Sequence, residues 1–235
     1  MVRASCSIPV LLPLTLWGAL CMADAPAEAG FVGFDVTTNM QTSGGVDLIA
    51  YRLWARFNGP TDTVLNAFGL TGGATTGFWH NDVYSSGLSQ VAGTWCPSLT
   101  VAAPALVDSY VTIGGVPGAT NGTVCPEPYD SIVMPTSWSV GAEAPTQGRV
   151  GSAGNTATSV ILAQFVLLAS DLDPRLFQLT IGYNSGNPGG SVQFASGSFV
   201  IPEPGAGLLC ALALLAGRGR RRGEKHSALA STSAP

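Results

Sequence analysis

One histidine, His80, lies between residues 24 and 201, and the other, His226, lies in the last ten residues. A single imidazole in the body excludes a zinc site built from several histidines. It leaves one candidate base for nucleophilic catalysis. Asp82, Ser85 and Ser86 follow it closely. Neighbours along a strand or turn do not converge as base, nucleophile and orienting carboxylate must, so His80 reads as structural. Asp171 and Asp173 stand two apart and offer carboxylates to calcium. A calcium loop needs about six to eight oxygens, and the EF-hand spacing is absent, so a solvated turn is the expectation. No two of the body's carboxylates stand out as a glycosidase pair. No catalytic residue, metal or cofactor is therefore assigned.

Aromatic side chains offer a different chemistry. Trp54, Trp79, Trp95 and Trp138, with Tyr84 and Tyr129, can stack on sugar rings or fill a core. Trp54 alternates with Arg52 and Arg56, which predicts an outward position, and Trp54 with Trp79 are the candidates for sugar stacking. Asn121-Gly122-Thr123 matches the N-glycosylation sequon.

The elements that must position these residues read as strands. Val46–Phe57 places Ile49, Tyr51, Leu53, Ala55 and Phe57 on one side and Arg52, Trp54 and Arg56 on the other. That is period two, bounded by Gly44-Gly45 and Asn58-Gly59-Pro60. Asp108–Gly115 is a short β-rich run. Thr158–Ser170 is mostly apolar and could be strand or helix; its early β-branched residues and flanking turns favour strand. Arg175–Tyr183 aligns Phe177, Leu179, Ile181 and Tyr183. Ser191–Ile201 carries Val192, Phe194 and Val200, and a hairpin-like Asn-Ser-Gly-Asn-Pro-Gly-Gly loop separates these last two runs. No amphipathic helix with caps is found. Strands spaced by turns predict an all-β fold, an antiparallel β-sandwich over residues 24–201.

Charge constrains the partners. Charged residues are only 10% of the chain, against about a quarter in ordinary domains. Between residues 24 and 201 four arginines face twelve carboxylates, a net charge of −8. Nucleic-acid binding needs a cationic face to release counterions, so that class is excluded.

The two ends differ from the body. Arg3, an apolar run from Ile8 to Leu20 and small residues after it form the layout of a secretory signal peptide, cut after Ala23. Gly18 and Leu20 do not suit lipidation of Cys21. At the other end, Pro202-Glu203-Pro204 forms a stiff extended elbow. Gly205–Gly217 follows without charge and would rise about 20 Å as a helix. Arg218, Arg220, Arg221 and Arg222 then hold that end in the cytoplasm by the positive-inside rule. A polar tail, residues 223–235, completes the chain. Cys6 and Cys21 leave with the leader and Cys210 lies in the apolar run. The remaining pair, Cys96 and Cys125, would be even in number in an oxidising compartment and is expected to form a disulfide, with two thiols as the alternative. The bridge would close a loop of about 30 residues, worth about 3–4 kcal/mol.

The four parts together resemble the PEP-CTERM sorting arrangement of bacteria that carry an exosortase: leader, Pro202-Glu203-Pro204, Gly205–Gly217 and the arginine cluster. The resemblance implies an integral-membrane cysteine transpeptidase and the secretion machinery as partners. It also implies a membrane-anchored precursor and delivery to the cell surface or extracellular matrix, where exopolysaccharide is a further partner. The body, through Tyr51–Leu70, Phe78–Asp82, Ser109–Gly115, Gln147–Gly151, Leu179–Gly186 and Val192–Phe199, resembles a module of exported planctomycete proteins, which implies export and a β-fold. The expected function is that of a non-catalytic surface or matrix protein, with a carbohydrate-binding module and then a secreted hydrolase as alternatives.

Overall fold

The computed structural model describes residues 30–80, 94–98, 104–125, 133–171, 173–186 and 190–202. These form two antiparallel sheets, and their only helical element is a short 3₁₀ turn, Pro104–Val107. The first sheet has the order β1 (Phe31–Ser43), β2 (Val46–Phe57), β7 (Ser159–Leu168), β4 (Tyr110–Val111). The second has the order β5 (Thr123–Val124), β6 (Ser137–Val140), β3 (Thr63–Gly72), β8 (Arg175–Asn184), β9 (Gln193–Ile201). The chain crosses repeatedly between sheets, so neither sheet folds from one continuous segment.

β2 spans the residues its alternation predicts. Its odd positions from Ile49 to Phe57 are buried, while Arg52, Trp54 and Arg56 face outward. β1 and β2 join through Gly44 and Gly45, with φ of 58° and 81°, inside the Ser43↔Val46 pair. Two successive positive φ values define the tight hairpin turn that matches strand twist, and glycine supplies both without a Cβ penalty. β7 is buried on both sides over most of its length, which is why it reads as a mostly apolar run. The Asp108–Gly115 run shrinks to the two residues of β4, because Gly114 and Gly115 turn the backbone to φ of 69° and 73°.

Inward side chains of both sheets meet in one core. Phe165 of the first sheet lies parallel to Phe177 and Phe199 of the second, with centroids 6.2 and 6.1 Å away. Phe177 and Phe199 are 5.4 Å apart. Along one side β1 meets β9, where Phe34 packs edge-on against Phe199 at 6.0 Å. At the β2–β3 corner the buried Asp62 accepts a hydrogen bond from the Gly59 N–H at 3.0 Å. Its other carboxylate oxygen has no partner, and burial raises its pKa.

Candidate functional site

Around His80 the chain alternates. Phe78 turns inward onto Phe165 and Trp95, Trp79 turns outward, and His80 turns inward against the Trp95 ring at 4.8 Å. Backbone bonds fix this strip: the Trp79 N–H donates to the Val166 carbonyl at 2.7 Å, and the Ser109 N–H to the Trp79 carbonyl at 3.2 Å. His80 Nδ1 lies 3.4 Å from Asp108 Oδ1, with both side chains almost wholly buried. Among the described residues Ser109 is the hydroxyl beside this pair. The adjacent Ser109 hydroxyl donates to the Trp79 carbonyl at 2.6 Å and accepts from the Val166 N–H at 2.9 Å. It is therefore spent on backbone, and the arrangement fits a structural histidine. Asp82, Ser85 and Ser86 lie outside the described residues.

The Asp171–Asp173 turn is also occupied. Asp171 forms an ion pair with Arg175 at 2.7 Å and accepts the Asp173 N–H at 3.2 Å. Arg175 is buried, donates to the carbonyls of Ala74 and Thr76, and lies 4.5 Å over the Phe78 ring. This cluster ties residues 74–78 to β8. Among the described residues no group of three or more metal-ligating side chains occurs. The sequon asparagine, Asn121, is 5% exposed. Its amide donates to Thr112 Oγ1 and to the Val116 carbonyl, each at 3.1 Å, and its oxygen accepts from the Thr123 N–H at 3.0 Å. Gln147 joins the same knot, accepting from the Gly122 N–H at 2.8 Å and donating to the Ile113 carbonyl at 3.0 Å. These bonds hold the loop after β4 to the loop after β6; they leave no amide for a glycan.

Cys96 and Cys125 are 4% and 7% exposed and are neighbours held as thiols. The Cys96 and Cys125 side chains share a hydrogen bond. That bond, with help from Ser98, lowers the Cys96 pKa to about 6 against the opposing effect of burial. The same bond, burial and the charge on Cys96 push Cys125 well above the ordinary thiol range. The two side chains stand as thiols, and joining them as the expected bridge would remove two electrons and two protons.

Trp54 and Trp79 both face outward from the first sheet, but in different states. The Trp54 indole N–H donates to Thr37 Oγ1 at 2.9 Å, beside the exposed Arg56–Asp35 pair at 3.2 Å. Trp79 packs with Val107 on Leu48, Ala50 and Val166, and its indole nitrogen is buried without a partner. Between them Arg52 Nε donates to Gln164 Oε1 at 2.9 Å, and Gln164 donates on to the Asp108 carbonyl at 2.9 Å. The two indoles do not form one open platform. Pro202 ends the described chain, and its carbonyl accepts the Tyr51 hydroxyl at 3.1 Å. Glu203, Pro204, Arg218, Arg220, Arg221 and Arg222 lie outside the described residues. No helix among the described residues is long and apolar enough to cross a membrane.

The opposite outer surface holds a groove that sequence reasoning did not single out. It lies over β5, β6 and β3, has a volume of about 370 Å³, and is lined by Asn66, Phe68, Val124, Ser137 and Ser139, with Cys125 at its base. Phe68 forms one wall and meets Phe194 of β9 edge-on at 5.9 Å. Phe194 is 66% exposed. The rings meet above Gly182, where a Cβ would stand 3.2 Å from Phe194 and 2.3 Å from Asn66 Oδ1. Asn66 Oδ1 accepts the Gly182 N–H at 2.9 Å, which fixes the amide so that its Nδ2 donors are not consumed by that bond. Only Arg175 is charged among the residues of the five strands of this sheet, and it is buried. The signal in the sequence is the run of neutral residues at the outward positions of β8 and β9. The pairing of Phe68 with Phe194, 126 residues apart, is not visible there.

No family model, curated protein or solved structure matches the chain.

Proposed function

We propose that the chain is a non-catalytic exported protein whose body, an antiparallel β-sandwich over residues 24–201, is displayed at the cell surface or in the extracellular matrix. In this reading residues 1–23 are a cleaved signal peptide. Pro202-Glu203-Pro204, the apolar helix Gly205–Gly217 and the arginine cluster serve as a PEP-CTERM-type sorting signal. An exosortase-type transpeptidase is then the processing partner. The observation that carries the proposal is the placement of charge: five of the eight residues from Arg218 to Lys225 are basic, whereas the body has four arginines in all and no lysine. That asymmetry supports an orientation with the body outside. Two structural facts support the division of labour. The last strand among the described residues ends at Ile201, and the Tyr51 hydroxyl holds the Pro202 carbonyl at the first residue of the elbow.

Intact mass of the mature protein from its native host tests this reading. Loss of residues 1–23 and of the segment after the elbow is expected. A further loss of two mass units would mark oxidation of Cys96 and Cys125 by a disulfide donor outside the cytoplasm. A mature mass equal to that of the full 235 residues overturns the proposal. So does a reporter fused ahead of Pro202 that is active only in the cytosol.

A further inference from the structure

We propose that the outer surface of the second sheet is a binding site for a neutral polysaccharide chain, with Phe68 and Phe194 as the stacking rings. The inference goes beyond export and display, and it places the ligand on the sheet opposite to Trp54. Three observations carry it.

The first is aromatic exposure without a structural debt. Phe194 stands 66% exposed, and its edge-on contact with Phe68 fixes its direction. Exposed rings held in place lose little side-chain freedom on stacking against the C–H face of a sugar. The glycine beneath them is part of the same design. Any side chain at Gly182 would collide with the Asn66 amide and crowd the Phe194 ring. The second observation is the distribution of polar groups. Asn66, Ser137 and Ser139 line the groove beside Phe68. On the other side of the rings, Thr180 and Ser196 share a hydrogen bond at 2.8 Å, and Gln178 opposite Ser198 continues the row. An apolar wall with a few placed hydroxyl and amide groups is the makeup of a site for an uncharged, hydroxyl-rich ligand.

The third observation is charge. A phosphorylated or uronic ligand would need cationic partners, and this sheet's only charged strand residue, Arg175, is buried and paired with Asp171. In a body of net charge −8, an uncharged face is where an electroneutral chain meets no repulsion and desolvates no ion. The face is also long enough for an extended ligand. From Gly182 to Leu176 along β8 is six residues, about 20 Å. It ends at the exposed pair Leu176 and Val200, which are direct cross-strand partners.

The test is affinity electrophoresis of the purified full-length chain, in non-ionic detergent, through gels containing hydroxyethyl cellulose, dextran or xyloglucan, with alginate as the acidic comparison. Retardation is expected in at least one neutral gel and not in alginate. Phe68→Ala and Phe194→Ala should each weaken it about tenfold, a loss of the size expected for one stacked ring. Phe194→Tyr should restore binding, and Trp54→Ala should leave it unchanged. Because Phe194 is exposed, its replacement leaves the fold intact, and melting curves of the variants establish that directly. Migration unaltered in all three neutral gels overturns the proposal, as does retardation by alginate alone. Loss of binding in Trp54→Ala but not in Phe194→Ala would overturn it too. So would sedimentation showing a dimer that Phe194→Ala dissociates, since the rings would then face a second copy. None of these outcomes depends on how the chain is exported or processed.

Discussion

The outer face of the first sheet and the outer face of the second sheet are built in opposite ways. The first is charged and turned in on itself. Arg52 reaches Gln164, Gln164 reaches a backbone carbonyl, Arg56 reaches Asp35, and Trp54 reaches Thr37. Trp79 and Val107 then cover its apolar end. The second has no exposed strand charge, no covering segment among the described residues, and two rings standing over a glycine. On the first face, the ion pair and hydrogen bonds occupy the charged groups and the Trp54 indole N–H. The difference teaches that aromatic content alone is a poor guide to a binding site. The tryptophans are more conspicuous in the sequence, but the phenylalanines are in the open.

The largest test of this contrast removes what the two faces share. Phe165→Ala empties the stack that joins the sheets and should cost about 3–5 kcal/mol, seen as a lower midpoint in urea. Both faces should loosen together, since Phe165 touches Phe177 and Phe199 across the core. A loss below 1 kcal/mol would mean that the sheets are not coupled through this stack. A smaller effect should separate the faces. Gln164→Leu removes the hydrogen bonds from the Arg52 guanidinium and to the Asp108 carbonyl and should cost about 1–3 kcal/mol. Phe194→Ala, on the other face, should stay within about 0.5 kcal/mol. Equal losses for the two variants would erase the distinction between a closed face and an open one.

The smallest effect lies at the corner between the sheets. Burial raises the Asp62 pKa, so the folded state favours its protonated form. The favourable contribution of that proton is complete below the unfolded pKa, near 3.9, and is lost as pH rises through the folded value. At neutral pH the ionised carboxylate is a liability. Asp62→Asn, which keeps an acceptor for the Gly59 N–H, should therefore gain stability relative to the parent as pH rises from 3 to 7. Melting temperatures of the two proteins across that range give the answer. A gap that does not widen with pH would show that Asp62 is not held in its protonated form by the fold.

Much of the β architecture was legible because alternation survives in β2 and β8, and because a fully buried β7 reads as an apolar run. β3 was not legible for a definite reason. Two register shifts, between Val64 and Asn66 and between Phe68 and Thr71, put its buried residues at Val64, Ala67 and Leu70. Their spacing of three hides the period of two. β1 escaped notice because it is an edge strand, mostly polar, and inward only at Phe31, Phe34 and Val36. Trp54 was correctly placed outside. Trp79 was not separable from it, since only the fold brings Leu48, Ala50 and Val166 beneath that ring. The Phe68–Phe194 site depends on a third strand passing between them with a glycine at one position, and nothing local encodes that.

The clamp at Pro202 has a mechanical side. Tension arriving through that residue reaches β9 first, and β9 runs in unbroken register with β8 from Ile201↔Arg175 to Gln193↔Tyr183. A pull along the strand axis would load this whole ladder at once, so the rungs resist in shear and do not peel singly. The Tyr51 hydroxyl adds a latch to the neighbouring sheet at the point where force would enter. A body tethered at this corner is fastened by one of its longer unbroken seams.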